Sequence, residues 1–138
     1  MTSTETEVAV LFADVVGSTR LYELLGDQQA RALIQLSVEI MRDATGRNRG
    51  TVIKTIGDEI LAIFPTVDDA VNAGGEMQQD IGARPELLVQ GQHVAIRIGC
   101  HFGPVVLENK DIFGASVHTA NRMTSQAKAG QVVTTAAT

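Results

Sequence analysis

The stretch Glu7-Val8-Ala9-Val10-Leu11-Phe12-Ala13-Asp14-Val15-Val16-Gly17-Ser18-Thr19 decides the fold. Glu7 to Ala13 is a continuous apolar run bounded by Gly17-Ser18, which predicts a short strand buried on both faces. Asp14 then stands at the strand end, and Ser18 or Thr19 is placed to cap a helix. A second acidic turn, Lys54-Thr55-Ile56-Gly57-Asp58-Glu59, joins the β-rich runs Thr51 to Thr55 and Glu59 to Phe64 and predicts a hairpin with Asp58 at its tip.

Working outward, Leu21, Leu24, Leu25, Ile34, Val38 and Met41 recur at helical intervals, interrupted around Gly26-Asp27, and predict a long helix kinked or split at Gly26. Pro65 ends the second hairpin strand. Thr66 caps a helix carrying Val67, Ala70, Val71, Ala73 and Met77. Ala83 to Gly91 reads as a loop. Gln92 to Gly99 and His101 to Leu107 read as two strands of a second hairpin, and Asn109 to Gly114 as a polar loop. A third helix is expected from Ala115 to Ala129 with Gly130 as its stop, then a strand from Gln131 to Thr134. The order is α+β, a ferredoxin-like split βαβ core with an added hairpin, helix and strand, and the helices are expected mainly on one face.

Composition narrows the function. At 138 residues and 44% hydrophobic content, the chain has the size of one domain. Eleven Lys and Arg against sixteen Asp and Glu leave a net charge of −5 without a basic cluster, which speaks against a nucleic-acid partner. A phosphate-bearing ligand would need local help from cations. The single cysteine, Cys100, lies in an apolar run and reads as a buried inert thiol. No apolar stretch approaches the roughly 18 residues of a membrane span, and Met1 to Glu7 is unlike a signal peptide, so a cytoplasmic location is expected.

Two aspartates at neighbouring strand ends suit a divalent cation. Mg²⁺ takes a few carboxylates together with water and phosphate oxygens, a set that Asp14, Asp58 and the Val15 carbonyl would supply. Each aspartate alone is equally an ordinary turn residue. Gly17-Ser18-Thr19 offers backbone N–H groups to phosphate at a helix start, although plain capping explains Ser18 or Thr19 as well.

Taken together these residues resemble the class III nucleotidyl cyclases, which form cyclic AMP or cyclic GMP from the triphosphate. The resemblance runs from Val8 to Thr134. It rests on Phe12-x-Asp14-Val15-x-Gly17-Ser18-Thr19, the hairpin Lys54 to Glu59, Ile98-Gly99-x-His101-x-Gly103-Pro104-Val105, and Asp111-Ile112-Phe113-Gly114 leading to Val117-x-x-Ala120-x-Arg122-Met123. It implies that Asp14 and Asp58 bind two Mg²⁺ or Mn²⁺ ions, that Lys54 and Asp111 read the purine, and that Arg122 steadies the polyphosphate. An ammonium donates to adenine N1 and a carboxylate accepts from N6, whereas guanine offers the opposite pattern, so the pair implies ATP. The family carries an asparagine for the ribose one turn before the arginine; this chain has His118, whose ring N–H can donate in its place or whose bulk can block the site. Asn121 points elsewhere, and His101 reads as a strand histidine.

The resemblance further implies a head-to-tail homodimer, with the metal aspartates from one protomer and the purine pair, His118 and Arg122 from the other. Relatives are usually fused to regulatory domains, and the family pattern continues past Val133, so residues 1–138 read as one cyclase homology domain trimmed at its C-terminal side. The expected activity is conversion of ATP to cyclic AMP and pyrophosphate. The alternative is a weakly active or non-catalytic module that binds nucleotide or dimerises. A diguanylate cyclase is disfavoured by the purine-reading pair. A phosphatase-like use of Asp14 is disfavoured by valine at position 16.

Overall fold

A computed structural model describes residues 4–135. Its centre is β1 (Thr4–Val16), flanked antiparallel by β3 (Glu59–Phe64) and β6 (Ala95–Glu108). The sheet runs β2-β3-β1-β6-β7, with β2 (Thr51–Ile56) and β7 (Asp111–Phe113) at its edges, and β8 (Val132–Thr134) pairs parallel to β6. The apolar run of β1 is continuous because both of its faces are covered. Ala9, Leu11, Ala13 and Val15 face a core shared with helices α1 (Ser18–Leu25), α2 (Asp27–Arg47) and α3 (Val67–Ala83). Val8, Val10 and Phe12 face a second cluster with Leu61, Val105, Ile112 and Ala120, the last from α4 (Ala115–Gln126). Burying a side chain such as Val10 or Leu11 contributes about 1.5–3 kcal/mol, which ties β1 into both clusters.

Three of the four helices therefore lie on one face, which was expected to carry most of them, and α4 lies on the other. Gly99 admits α4 to the second face. A Cβ at Gly99 would sit 2.0 Å from the Thr124 backbone nitrogen, so helix and strand touch only because no side chain intervenes.

The predicted split of the first helix occurs at Gly26, and the Thr66 hydroxyl accepts from the Asp69 N–H at 3.1 Å as a cap should. Three expectations are corrected. Gln92 to Leu107 does not fold back on itself: β6 is one strand paired with β1 from Thr4↔Leu107 to Val16↔Ala95, and its hairpin partner is β7, within the segment expected to be loop. Pro104 is tolerated mid-strand because β7 reaches only Val106 and β8 only Cys100, leaving no ladder on that side for its missing N–H. The loop before β6 contains a 3₁₀ turn (Pro85–Leu87) and a small hairpin of β4 (Leu88–Val89) and β5 (Gln92–His93). Finally, α4 stops at Gln126, capped by Ala127, and Gly130 lies in the connection to β8 rather than at the helix end.

Candidate active site

At the C-terminal rim of β1, Asp14 lies opposite Glu59 on β3 and Arg97 on β6. Arg97 grips it by two points, Nε to Oδ1 at 3.0 Å and Nη2 to Oδ2 at 3.4 Å, and the Asp14 side chain is only 15% exposed. The Val15 N–H donates to the Asp58 carbonyl at 3.3 Å, which joins the hairpin tip to the end of β1. Asp14, Val15 and Asp58 thus share one rim. Glu59 reports the charge there: its carboxyl is held above the ordinary range chiefly by burial, then by the negative charge of Asp14 and Asp58, with Arg97 opposing.

Among the described residues no group of three or more His, Cys, Asp or Glu side chains converges to hold a metal. The oxygen donors gathered at this rim are the carboxylates of Asp14 and Asp58 and the carbonyl of Val15. Such oxygens are of the kind Mg²⁺ or Mn²⁺ takes when water and phosphate oxygens complete the shell.

The turn into α1 is built for access. Gly17 takes a left-handed conformation (φ 73°) as the N-cap, and no side chain caps the helix, which corrects the expectation that Ser18 or Thr19 would do so. The first intrahelical bonds run from the Arg20 and Leu21 N–H groups to the Gly17 carbonyl, at 3.1 and 3.3 Å. The N–H groups of Ser18 and Thr19 have no intrahelical acceptor and are available to an anion.

The pair predicted to read the purine forms a second group. Lys54 Nζ donates to Asp111 Oδ2 at 2.9 Å. Asp111 Oδ1 accepts from the Ile112 N–H at 2.8 Å, which fixes the carboxylate plane. The ammonium first, and that backbone donor second, hold the Asp111 carboxyl below its ordinary value. Two donors remain on the ammonium and free lone pairs on the carboxylate, the complement of an adenine edge.

His118 and Arg122 form the third group, one turn apart on the exposed side of α4. Arg122 Nη2 donates to Thr119 Oγ1 at 3.3 Å, and the His118 side chain bonds to no described residue. No hydrogen bond or ion pair among the described residues links these three groups. Asn121 is exposed; His101 bonds Thr135 Oγ1 through Nδ1 at 2.8 Å, and Cys100 is buried with its thiol pushed up by desolvation, so both fit their structural readings. Among the described residues no helix is long and apolar enough to cross a membrane.

Sequence reasoning missed Arg97 and Glu59. Their identities were visible, but only the register of β1 against both neighbours sets them either side of Asp14.

Comparison with known proteins bears on this arrangement. The family model described as "Adenylate and Guanylate cyclase catalytic domain" matches residues 1–138. The chain is 34% identical over 118 residues to an adenylate cyclase of Streptomyces griseus, covering 84% of this chain and 28% of that protein. It is 32% identical over 120 residues to an adenylate cyclase of Streptomyces coelicolor, covering 86% of this chain and 29% of that one, so it spans under a third of each relative. Among solved structures, the adenylate/guanylate cyclase/hydrolase from Silicibacter pomeroyi superposes with a TM-score of 0.80 at 30% identity, over 96% of this chain and 77% of that one. With its α+β architecture and these matches, the chain belongs to the adenylate and guanylate cyclase catalytic domain family.

Proposed function

We propose that this domain converts ATP to cyclic AMP and pyrophosphate in a head-to-tail homodimer with two divalent cations. The observation that carries the proposal is the sharing of one rim by Asp14, Val15 and Asp58 beside the uncapped Gly17 turn, while Lys54 and Asp111 form a separate, preset pair of donor and acceptor. In one chain these groups are unconnected. A second copy, turned so that its Lys54, Asp111, His118 and Arg122 face the rim of the first, completes a site at the seam.

On this reading Lys54 and Asp111 orient adenine, and His118 donates to the ribose. Asp14 or Asp58 helps remove the proton of the 3′-hydroxyl as its oxygen attacks the α-phosphorus in line and pyrophosphate leaves. Arg122 gives up its weak bond to Thr119 and stabilises the charge that grows on the phosphates. Asp14, Asp58 and the Val15 carbonyl would hold Mg²⁺ or Mn²⁺, which would supply charge neutralisation. The two-point grip of Arg97 keeps Asp14 oriented until then.

Cyclic AMP formation from ATP with Mn²⁺, followed over a range of protein concentrations, tests the proposal. Specific activity should rise with concentration, and GTP should give no product. Absence of product at every concentration would leave the second reading, a nucleotide-binding or dimerising module without turnover, for which His118 in the place of the family's asparagine is the supporting observation. The fused regulatory domains and cytoplasmic setting that the family implies belong to the same proposal.

A further inference from the structure

Two cavities, of ≈260 and ≈400 Å³, adjoin at Val89 and form one groove between α1, α2 and the β4–β5 hairpin. Together they reach the size of small-ligand sites, roughly 300–1,000 Å³. The groove is separate from the rim. Ser18 and Tyr22 of α1 line a cavity beside Asp58, whereas Gly17, Arg20, Leu21 and Leu24 occupy another side of the same helix and line the groove. The hairpin wall is held in place at its base: the Val94 N–H donates to the Leu87 carbonyl at 2.7 Å, and His93 Nε2 donates to the Ile81 carbonyl in the last turn of α3 at 2.6 Å. Leu24 and Leu88, one from each wall, are 40% and 56% exposed, and Leu25, Leu33 and Val89 are partly buried.

We infer that this groove binds a free monocarboxylate with an apolar chain, its carboxylate at Arg20 and its chain along Leu24, Val89 and Leu33; the inference goes beyond the proposed function and does not depend on it. Charge and shape select that class. No Asp or Glu lines either cavity, in a chain that carries sixteen of them against eleven Lys and Arg. Arg20 is the one Lys or Arg in the lining, it sits at the α1 end, and no hydrogen bond or ion pair engages it among the described residues. Its planar fork suits the two oxygens of a carboxylate. Towards the second cavity the polar lining is amide only, Gln29 and Gln90, so the far end offers no ionic partner. One cation at one end selects a ligand charged at one end, which disfavours a polyphosphate or a zwitterion. An extended chain runs through both cavities where a compact ring would fill one, and burial of its methylenes against leucine and valine supplies the affinity.

Decanoate is the probe, its affinity measured by calorimetry below its micelle-forming concentration for the wild-type chain, Arg20→Gln, Arg20→Lys and Leu88→Asp. Wild type should bind it, and should bind hexanoate more weakly by about fourfold for each methylene removed. Arg20→Gln should weaken decanoate binding about tenfold, as for loss of one charge-assisted contact, and Arg20→Lys should recover most of that loss. Decanol, which has no charge, should bind these three chains alike. Leu88→Asp changes a side chain that already reaches solvent, so it should weaken decanoate binding at an unchanged melting temperature. No binding by wild type would overturn the inference, as would an affinity that Arg20→Gln and Leu88→Asp both leave unchanged. Equal binding of decyltrimethylammonium would also overturn it, by making the groove a general apolar surface. So would self-association of the wild-type chain that Leu88→Asp abolishes and decanoate does not disturb, which would give the groove to a second copy. Cyclic AMP formation enters none of these readouts, so a chain without turnover that binds decanoate through Arg20 keeps this inference and loses the proposed function.

Discussion

Lys54 and Asp111 meet at 2.9 Å although they belong to the two opposite edges of the sheet, β2 and β7, with three strands between them in the pairing order. Only a strongly curled sheet brings its edges together, and the curl is towards the α4 face, where Leu61, the cross-strand partner of Lys54, joins the second core cluster. The bulge between Val52 and Lys54 contributes by turning the edge strand.

This bridge has a pH signature. Asp111 titrates below its ordinary value because Lys54 and the Ile112 N–H hold its charged form, so its contribution to stability is complete above the unfolded value and is lost as pH falls through the lower folded one. Replacing Lys54 with methionine should lower the melting temperature at pH 6 and leave it nearly unchanged at a pH low enough to protonate Asp111 in the folded chain. The effect should be small, about 1 kcal/mol or less, since both side chains reach solvent. Thermal melts at the two pH values check this.

The proposed composite site predicts complementation. Asp14→Ala and Arg122→Ala chains should each lose on the order of 10² to 10³ in cyclic AMP formation, and an equimolar mixture should regain up to about a quarter of the wild-type rate, because about half of the dimers are mixed and each of those holds one intact site of two. Assay of the mixture against each variant alone decides it. Activity that stays at the level of the single variants would exclude a site shared between protomers.

His118→Asn should raise the rate with ATP and Mn²⁺ on the order of tenfold if the ribose is held at this position of α4, because orientation of the attacking hydroxyl governs the step. The gain belongs in kcat more than in KM. A variant slower than wild type would show that the imidazole holds the ribose better than an amide does at this position.

Gly99→Ala should be destabilising by about 1–3 kcal/mol, since its Cβ would displace the α4 backbone at Thr124. That shift also moves His118 and Arg122, so the fall in activity should exceed what the loss of folded protein explains. Denaturant unfolding and turnover measured on the same preparation separate the two.

Much of the site was legible along the chain because its chemistry sits at turns, where residue type and conformation are tightly linked. Asp14 before Gly17 and Asp58 after Gly57 announce carboxylates at strand ends whatever the rest of the sheet does. The purine pair was legible only through family likeness. Nothing local distinguishes Lys54 from a solvated strand lysine or Asp111 from a loop acid.

By itself the sequence determined the first strand, the acidic hairpin and the helices, the split at Gly26, the cap at Thr66 and the two acidic turns, all consequences of interactions within a few residues. Tertiary structure decided the rest. The thirteen-pair register of β6 on β1 overrode the turn signals of Gly99, Gly103 and Pro104, because a ladder satisfies the backbone of the whole segment where a hairpin would satisfy half of it. The same register set Arg97 against Asp14 and let α4 rest on Gly99. Those are contacts between residues 83 and 25 positions apart, and no periodicity along a chain encodes them.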